Sequence, residues 1–241
     1  MSLLTLGAAE ADIDAAARRL ADTSRTRVSG VLGEGAGRLH AVLSDPAHDW
    51  SRAIRNPFDI DVPAAAFDAQ SEADRRAALE RIHAEATDGF HFIYDRLLIR
   101  RAGVGAEQTP PLLKAAADLF NSEAFLAFAR RLTGDDRIVF VDGQATRYLP
   151  GHFLNRHTDA NDASGRLYAY VLNLTPRWRA EWGGLLQFLD EGGEVTESLV
   201  PAFDTLNVFR VPQSHAVSVV APFAGAPRYS ITGWWRSRAP T

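Results

Sequence analysis

The chain has 241 residues, 46% of them apolar and 23% charged, with a formal net charge of −4; this is the balance of a soluble globular protein with a sizeable core. No block of like charges provides the footprint of a nucleic-acid binder. The lack of cysteine excludes disulfides, thiolate nucleophiles, cysteine zinc sites and cysteine-held iron–sulfur clusters, so any metal must be held by His, Asp or Glu. Met1 to Leu20 is interrupted by Glu10, Asp12 and Asp14 and lacks the form of a signal peptide. No apolar run has the length of a membrane span, so a cytoplasmic location is expected.

In chain order, Ala8 to Asp22 has helical spacing of Ile13, Ala17 and Leu20. Thr26 to Leu32 suits a short strand, and Gly33 to Leu43 a helix. Gly33, Gly35 and Gly37 suggest a dinucleotide-binding turn, but Arg38 stands where that pattern needs its last glycine and no βαβ series follows. Asn56 to Pro63, with two prolines, reads as a loop or edge segment. Ser71 caps a helix that runs to Asp88, with Leu79, Ile82 and Ala86 on one face. Phe90 to Leu98 is an aromatic-rich strand, and Pro111 to Thr133 a long helix stopped by Gly134.

After Arg137 the texture changes to short apolar or alternating runs separated by Gly, Pro and Asp. Strands are expected near 137–141, 144–149, 167–174, 185–189, 195–200, 206–211, 216–220 and 229–236. Many short strands at this spacing indicate an antiparallel sandwich or barrel, best a double-stranded β-helix, or jelly roll. The expected fold is therefore mainly β with supporting helices, a jelly-roll core flanked by N-terminal α-helices. It forms a single catalytic domain over 1–241, with 1–136 mostly helical support and 137–238 the core.

The chemistry concentrates in that core. His157 and Asp159 lie at i and i+2, so on an extended chain their side chains point the same way, and a remote His215 completes a two-His-one-carboxylate set. Such a facial triad holds Fe(II) and leaves positions open for a co-substrate and dioxygen. A lone His-x-Asp is often a chance pairing; the strand context, His215 and a downstream arginine favour the triad here. His152 falls on the opposite strand parity and suits a structural role, while His40, His48, His83 and His91 have no partner at ligand spacing. Arg228, Ser230 and Thr232 alternate on the last strand and share one face. Arg228 there needs an anion, either a protein carboxylate or the distal carboxylate of 2-oxoglutarate; beside a triad the second is favoured. Tyr148 is either core or a hydroxyl within reach of that co-substrate.

These residues resemble a known family. Arg147-Tyr148-Leu149-Pro150-Gly151, His157-Thr158-Asp159, Tyr170-Val171-Leu172-Asn173, the segments 182–188 and 201–206, and Arg228-Tyr229-Ser230-Ile231-Thr232-Gly233-Trp234 are similar, in unbroken order from Val139 to Arg236, to the prolyl hydroxylase branch of the Fe(II)/2-oxoglutarate dioxygenases, which includes oxygen-sensing and ribosomal prolyl hydroxylases. The resemblance implies iron held by His157, Asp159 and His215. It also implies 2-oxoglutarate anchored by Arg228 with help from Thr232, Ser230 and Tyr148, O2 as oxidant, succinate and CO2 as co-products, and ascorbate as an optional addition. Arg166 and Trp234 match positions that border the substrate. Val171 departs from the oxygen-sensing pattern, which has a tyrosine there, so one hydrogen bond to the distal carboxylate must come from elsewhere, with Tyr148 and Ser230 the candidates.

The expected substrate is a prolyl residue of a protein or peptide. One alternative keeps the chemistry on a free amino acid or other small molecule. Another is a non-catalytic jelly-roll metal-binding or sensor protein. No nucleic-acid or membrane partner is expected. Segments 161–165 and 177–181 are the expected cover of the substrate.

Overall fold

The computed structural model describes residues 3–7, 10–55, 58–99, 106–160 and 164–239. Six helices and thirteen strands lie among them. The helices are α1 (Glu10–Thr23), α2 (Glu34–Leu43), α3 (Ala64–Asp68), α4 (Glu72–Glu85), α5 (Pro111–Phe120) and α6 (Glu123–Thr133). The strands are β1 (Arg25–Ser29), β2 (Ser51–Arg55), β3 (Asp59–Pro63), β4 (Phe92–Leu98), β5 (Phe140–Val141), β6 (Gln144–Tyr148), β7 (Phe153–His157), β8 (Arg166–Asn173), β9 (Leu186–Leu189), β10 (Val195–Leu199), β11 (Thr205–Arg210), β12 (His215–Val217) and β13 (Arg228–Arg236).

The expected long helix is two. Asn121 and Ser122 break it: Ser122 Oγ accepts the Phe125 N–H and caps α6, while the Asn121 amide exchanges two hydrogen bonds with the Val141 backbone, at 2.7 and 3.0 Å. Gly134 ends α6 at φ 66°, as expected of a left-handed C-terminal glycine. The segment Asp59–Pro63, expected as a loop or edge segment, is an edge strand; its partner β2 is the element the sequence pattern did not suggest. The N-terminal part thus contributes β1 to β4 to the sheet as well as its helices.

All the pairings are antiparallel, in the order β1-β11-β8-β13-β6-β4-β7-β12-β9-β10, with β2 and β3 attached through β4 and β5 through β13. The sheet curls so that its two halves face each other. The corner is the Leu149–His152 segment. β6 pairs with the second half of β4 (Asp95↔Arg147), and after the turn β7 pairs with the first half (Phe92↔Leu154). The Tyr148-to-His152 motif is therefore the bend that carries the chain from one half of the sheet to the other. Mutual hydrogen bonds with Val220 pin it, Gly151 N–H to Val220 O and Val220 N–H to His152 O.

Strand parity divides the interior. On β13, Tyr229, Ile231 and Trp235 face the helices and pack with Phe125, Leu132 and Leu172 in the main core. On β8, Ala169 and Val171 face inward with Phe209 of the adjoining β11 against Leu186 and Phe188 of β9 in the opposite half, where Phe188 and Phe209 meet edge to face at 5.2 Å. Gly233 keeps β13 close to its neighbour, since a Cβ there would lie 2.2 Å from Asp142 O. The two ends of the curled sheet are joined by side chains: Glu197 on β10 binds Arg19 of α1 at 2.5 Å and Arg25 of β1.

Candidate metal centre

β7 and β12 pair with His157 directly opposite His215, and Asp159 follows β7 two residues on. The side chains converge. His157 Nε2 lies 3.7 Å from Asp159 Oδ1, His215 Nε2 lies 3.5 Å from Asp159 Oδ2, and the imidazole centroids are 4.2 Å apart. One ligand atom from each of the three falls within 4.8 Å of the others. Both imidazoles are oriented alike: His157 Nδ1 donates to Asn155 O at 2.9 Å and His215 Nδ1 to Gln213 O at 2.8 Å. A carbonyl only accepts, so each neutral ring carries its proton on Nδ1 and aims the Nε2 lone pair at the common centre. Burial, with His157 alongside, lowers His215 to about 4 against the pull of Asp159, so it is neutral at neutral pH. Two imidazoles and a carboxylate suit a divalent first-row metal such as Fe(II).

The triad opens on a cavity of about 420 Å³ between the two halves of the sheet. Arg228 enters the same cavity from β13, opposite Tyr148 in register, and is 1% exposed. Its guanidinium carbon sits 5.2 Å over the Tyr148 ring. Its Nε is buried without a partner, and among the described residues no carboxylate pairs with it. Burial lowers its pKa, yet a guanidinium stays charged, so the cavity holds a fixed cation awaiting an anion. That is the fit expected of one end of 2-oxoglutarate. Burial also raises the Tyr148 phenol, which remains a hydrogen-bond donor. Thr232 lines the cavity. Ser230 does not: its hydroxyl is 2.7 Å from Thr146 Oγ1, and Thr146 is the residue of that pair on the cavity wall.

Arg166 and Trp234 border the cavity as a stacked pair, with the guanidinium carbon 3.5 Å from the Trp234 ring centroid, and Arg166 reaches Asp159 O at 3.4 Å. The wall opposite was not anticipated. Phe90, Phe92 and Tyr94, at alternate positions along and just before β4, form an aromatic ladder continued by Tyr148; successive centroids are 5.7, 5.5 and 5.3 Å apart, and Phe90 lies 5.3 Å from His157. The signal was their period of two in an aromatic run; the cross-sheet pairing that turns this face inward was not visible. The exposed rim is formed in part by Ile60 and Asp61 of β3, the latter paired with Arg96 at 2.5 Å. Of the two expected covering segments, 161–163 lies outside the described residues, and 177–179 lines a different cavity. His152 is not a ligand: it is 2% exposed at the strand corner, and burial lowers it to about 3.

Residues 143–236 match the family model of the 2OG-Fe(II) oxygenase superfamily. Over 120 residues the chain is 32% identical to "Prolyl 3-hydroxylase OGFOD1" of Mus musculus, an alignment that covers 47% of this chain and 22% of that protein; the chain thus spans under a quarter of the length of this curated relative. Among solved structures, an oxidoreductase of the 2OG-Fe(II) oxygenase family from Burkholderia pseudomallei superposes with a TM-score of 0.64 at 16% identity, covering 97% of this chain and 95% of that one. A prolyl hydroxylase from Trichoplax adhaerens, in complex with a hypoxia inducible factor oxygen degradation domain peptide fragment, gives 0.60 at 16% identity, with 93% and 89% covered. At these identities the structures establish the jelly-roll fold, and the sequence matches lie in its C-terminal part. Residues 143–236 of the chain are thus similar to the 2OG-Fe(II) oxygenase superfamily, and among its members to a prolyl hydroxylase.

Proposed function

We propose that this protein is an Fe(II)- and 2-oxoglutarate-dependent dioxygenase that hydroxylates a prolyl residue of a protein or peptide, acting as one catalytic domain. The observation that carries the reading is the unpartnered Arg228 in the cavity onto which the His157–Asp159–His215 cluster opens. When bound, iron(II) and 2-oxoglutarate supply the oxidation of an unactivated C–H bond by O2, with succinate and CO2 as co-products.

The chain's own residues do the rest. His157 and His215, held by their Nδ1 bonds, and Asp159 present three ligands from one side, leaving the cavity side open. Arg228 would hold the distal carboxylate, with the Tyr148 hydroxyl and Thr232 as further donors in place of the tyrosine that Val171 replaces. Val171, Leu186, Phe209 and Val217 keep that end of the cavity apolar, which strengthens the charge pairing by excluding water. Arg166, fixed on Trp234, offers donors at the substrate side. The prolyl substrate is supported by the likeness to the mouse prolyl 3-hydroxylase; a free amino acid or other small molecule is the weaker reading.

Anaerobic addition of Fe(II) and then 2-oxoglutarate should produce a weak visible charge-transfer band, and succinate should then form with prolyl peptides. Asp159→Ala should lose the band and all turnover. Full activity in Asp159→Ala, or iron binding without a band in the wild type, would overturn the assignment.

A further inference from the structure

The barrel carries a second cavity that this reaction does not use. It encloses about 1030 Å³ and is built from the connections β8–β9, β10–β11 and β12–β13. It shares no lining residue with the iron cavity. β13 separates the two: Arg228 faces the iron cavity and Tyr229, the next residue, faces this one.

Its walls are aromatic, formed by Trp178, Trp182, Phe203 and Tyr229, with prolines between them. Trp182 meets Trp178 edge to face at 5.3 Å. The Trp178 indole N–H is taken by Gly183 O at 2.9 Å, whereas the Trp182 side chain makes no hydrogen bond among the described residues and is free to donate. The charge is one-sided. No Asp or Glu is among the described lining residues, but Arg177 and Arg179 are. Arg179 is engaged by Glu181 at 2.9 Å; Arg177 is exposed and has no ion pair among the described residues. Burial lowers His40, the other titratable group here apart from Tyr229, so it adds no charge at neutral pH.

We propose that this groove docks an acidic, proline-containing extended segment of the protein substrate, at a distance from the iron. The inference rests on the reading that the substrate is a protein. Proline-rich segments are already extended and lose little entropy on binding, and they dock on aromatic grooves that offer an indole donor to their free carbonyls. Carboxylates on such a segment answer Arg177 in a lining that has no acid to repel them. The volume stands at the top of the range for small-molecule pockets, roughly 300–1,000 Å³, and suits a peptide better than a metabolite.

The test is fluorescence anisotropy of a fluorescein-labelled alternating Pro-Glu peptide titrated with the full chain. Saturable binding is expected, about tenfold weaker in Arg177→Glu and in Trp182→Ala. It should be unchanged in Arg96→Ala at the rim of the iron cavity, and an alternating Pro-Lys peptide should not bind. No saturable binding by the wild type, or equal binding by the two groove variants or by the Pro-Lys peptide, would overturn the proposal. So would sedimentation showing that the groove is closed by a second copy of the chain. Binding needs neither iron nor oxygen, so failure here leaves the iron chemistry standing, and failure of the charge-transfer band leaves the peptide titration readable.

Discussion

Replacing Arg228 by Met removes the charge and keeps most of the side-chain volume, and it should move two observables in opposite directions. Arg228 is 1% exposed with Nε unpartnered and no carboxylate paired to it among the described residues. Burying a cation without a counter-ion costs several kcal/mol, and apolar replacement of buried ionic groups is often stabilising by about 1–4 kcal/mol. Part of the penalty here is relieved by the Tyr148 ring 5.2 Å away, so we expect Arg228→Met to stabilise the ligand-free protein by about 1–2 kcal/mol. For a chain of 241 residues that is a rise in Tm of roughly 2–8 °C. Affinity for 2-oxoglutarate should fall instead. Losing a desolvated bidentate carboxylate pair costs about 3–5 kcal/mol, or roughly 100- to 5,000-fold. Thermal unfolding with Zn(II) in place of iron, with and without 2-oxoglutarate, reads both effects at once. The co-substrate should raise the Tm of the wild type by mass action and leave the variant unmoved. A variant that melts well below the wild type and still gains stability from 2-oxoglutarate would refute the reasoning, because it would make Arg228 a structural cation.

Two further predictions concern stability. His152 has its folded pKa lowered to about 3 by burial, from an ordinary value of 6.5. The unfolded chain therefore takes up a proton below pH 6.5 that the folded chain refuses; stability is full above that pH and falls as the pH drops toward 3. At about 1.36 kcal/mol per pH unit, the wild type should lose about 2 kcal/mol through this group between pH 6.5 and 5, and urea unfolding of His152→Phe at both pH values should show that component gone. An identical pH dependence in the two proteins would place the orphaned Nδ1 in water. Glu197→Gln should cost about 1 kcal/mol, a modest figure because the partners are half-exposed, and should speed amide exchange across Val195–Leu199 at the open end of the sheet. Unchanged exchange there would mean that the arginine contacts do not hold the ends together.

The parts of the site legible in the sequence are those fixed by strand parity. His157 and Asp159 two apart, and Arg228 and Thr232 four apart, could be assigned to common faces without knowing the partner strands, and the structure brings each set into one cavity. Ser230 shares that parity, but its hydroxyl turns to Thr146, because the register sets Ser230 opposite Thr146, a pairing between strands far apart in sequence. Tyr94 was hidden for the same reason: its face is plain, but its stacking on Tyr148 depends on the β4–β6 register. β2 was hidden by its charge. Arg52 is 2% exposed in the middle of that strand, compensated by Asp95 on β4 at 2.8 Å and Asp68 on α3 at 2.8 Å, and no local pattern announces a buried ion network assembled over such distances. The break in the long helix had a local signal in Asn121-Ser122-Glu123, but the apolar spacing continues across it.

β13 shows why the fold and the site depend on the same constraint. Its helix-facing residues Tyr229, Ile231 and Trp235 belong to the largest core cluster, and Trp235 is fully buried. Its inward residues Arg228, Thr232 and Trp234 line the iron cavity. A slip of one residue against β6 and β8 would send Arg228 into the apolar helix layer and bring Ile231 to the position of a polar anchor. Both halves of that exchange are unfavourable, one by burying a cation among Leu and Phe and the other by taking apolar area out of the core. The register is thus held mainly by the apolar face, which outweighs the cost of the unpartnered arginine on the other. This is how a buried cation can persist before any anion binds: the packing of Trp235 and its neighbours keeps Arg228 in place, and the binding of a carboxylate then recovers a desolvation cost already met in folding.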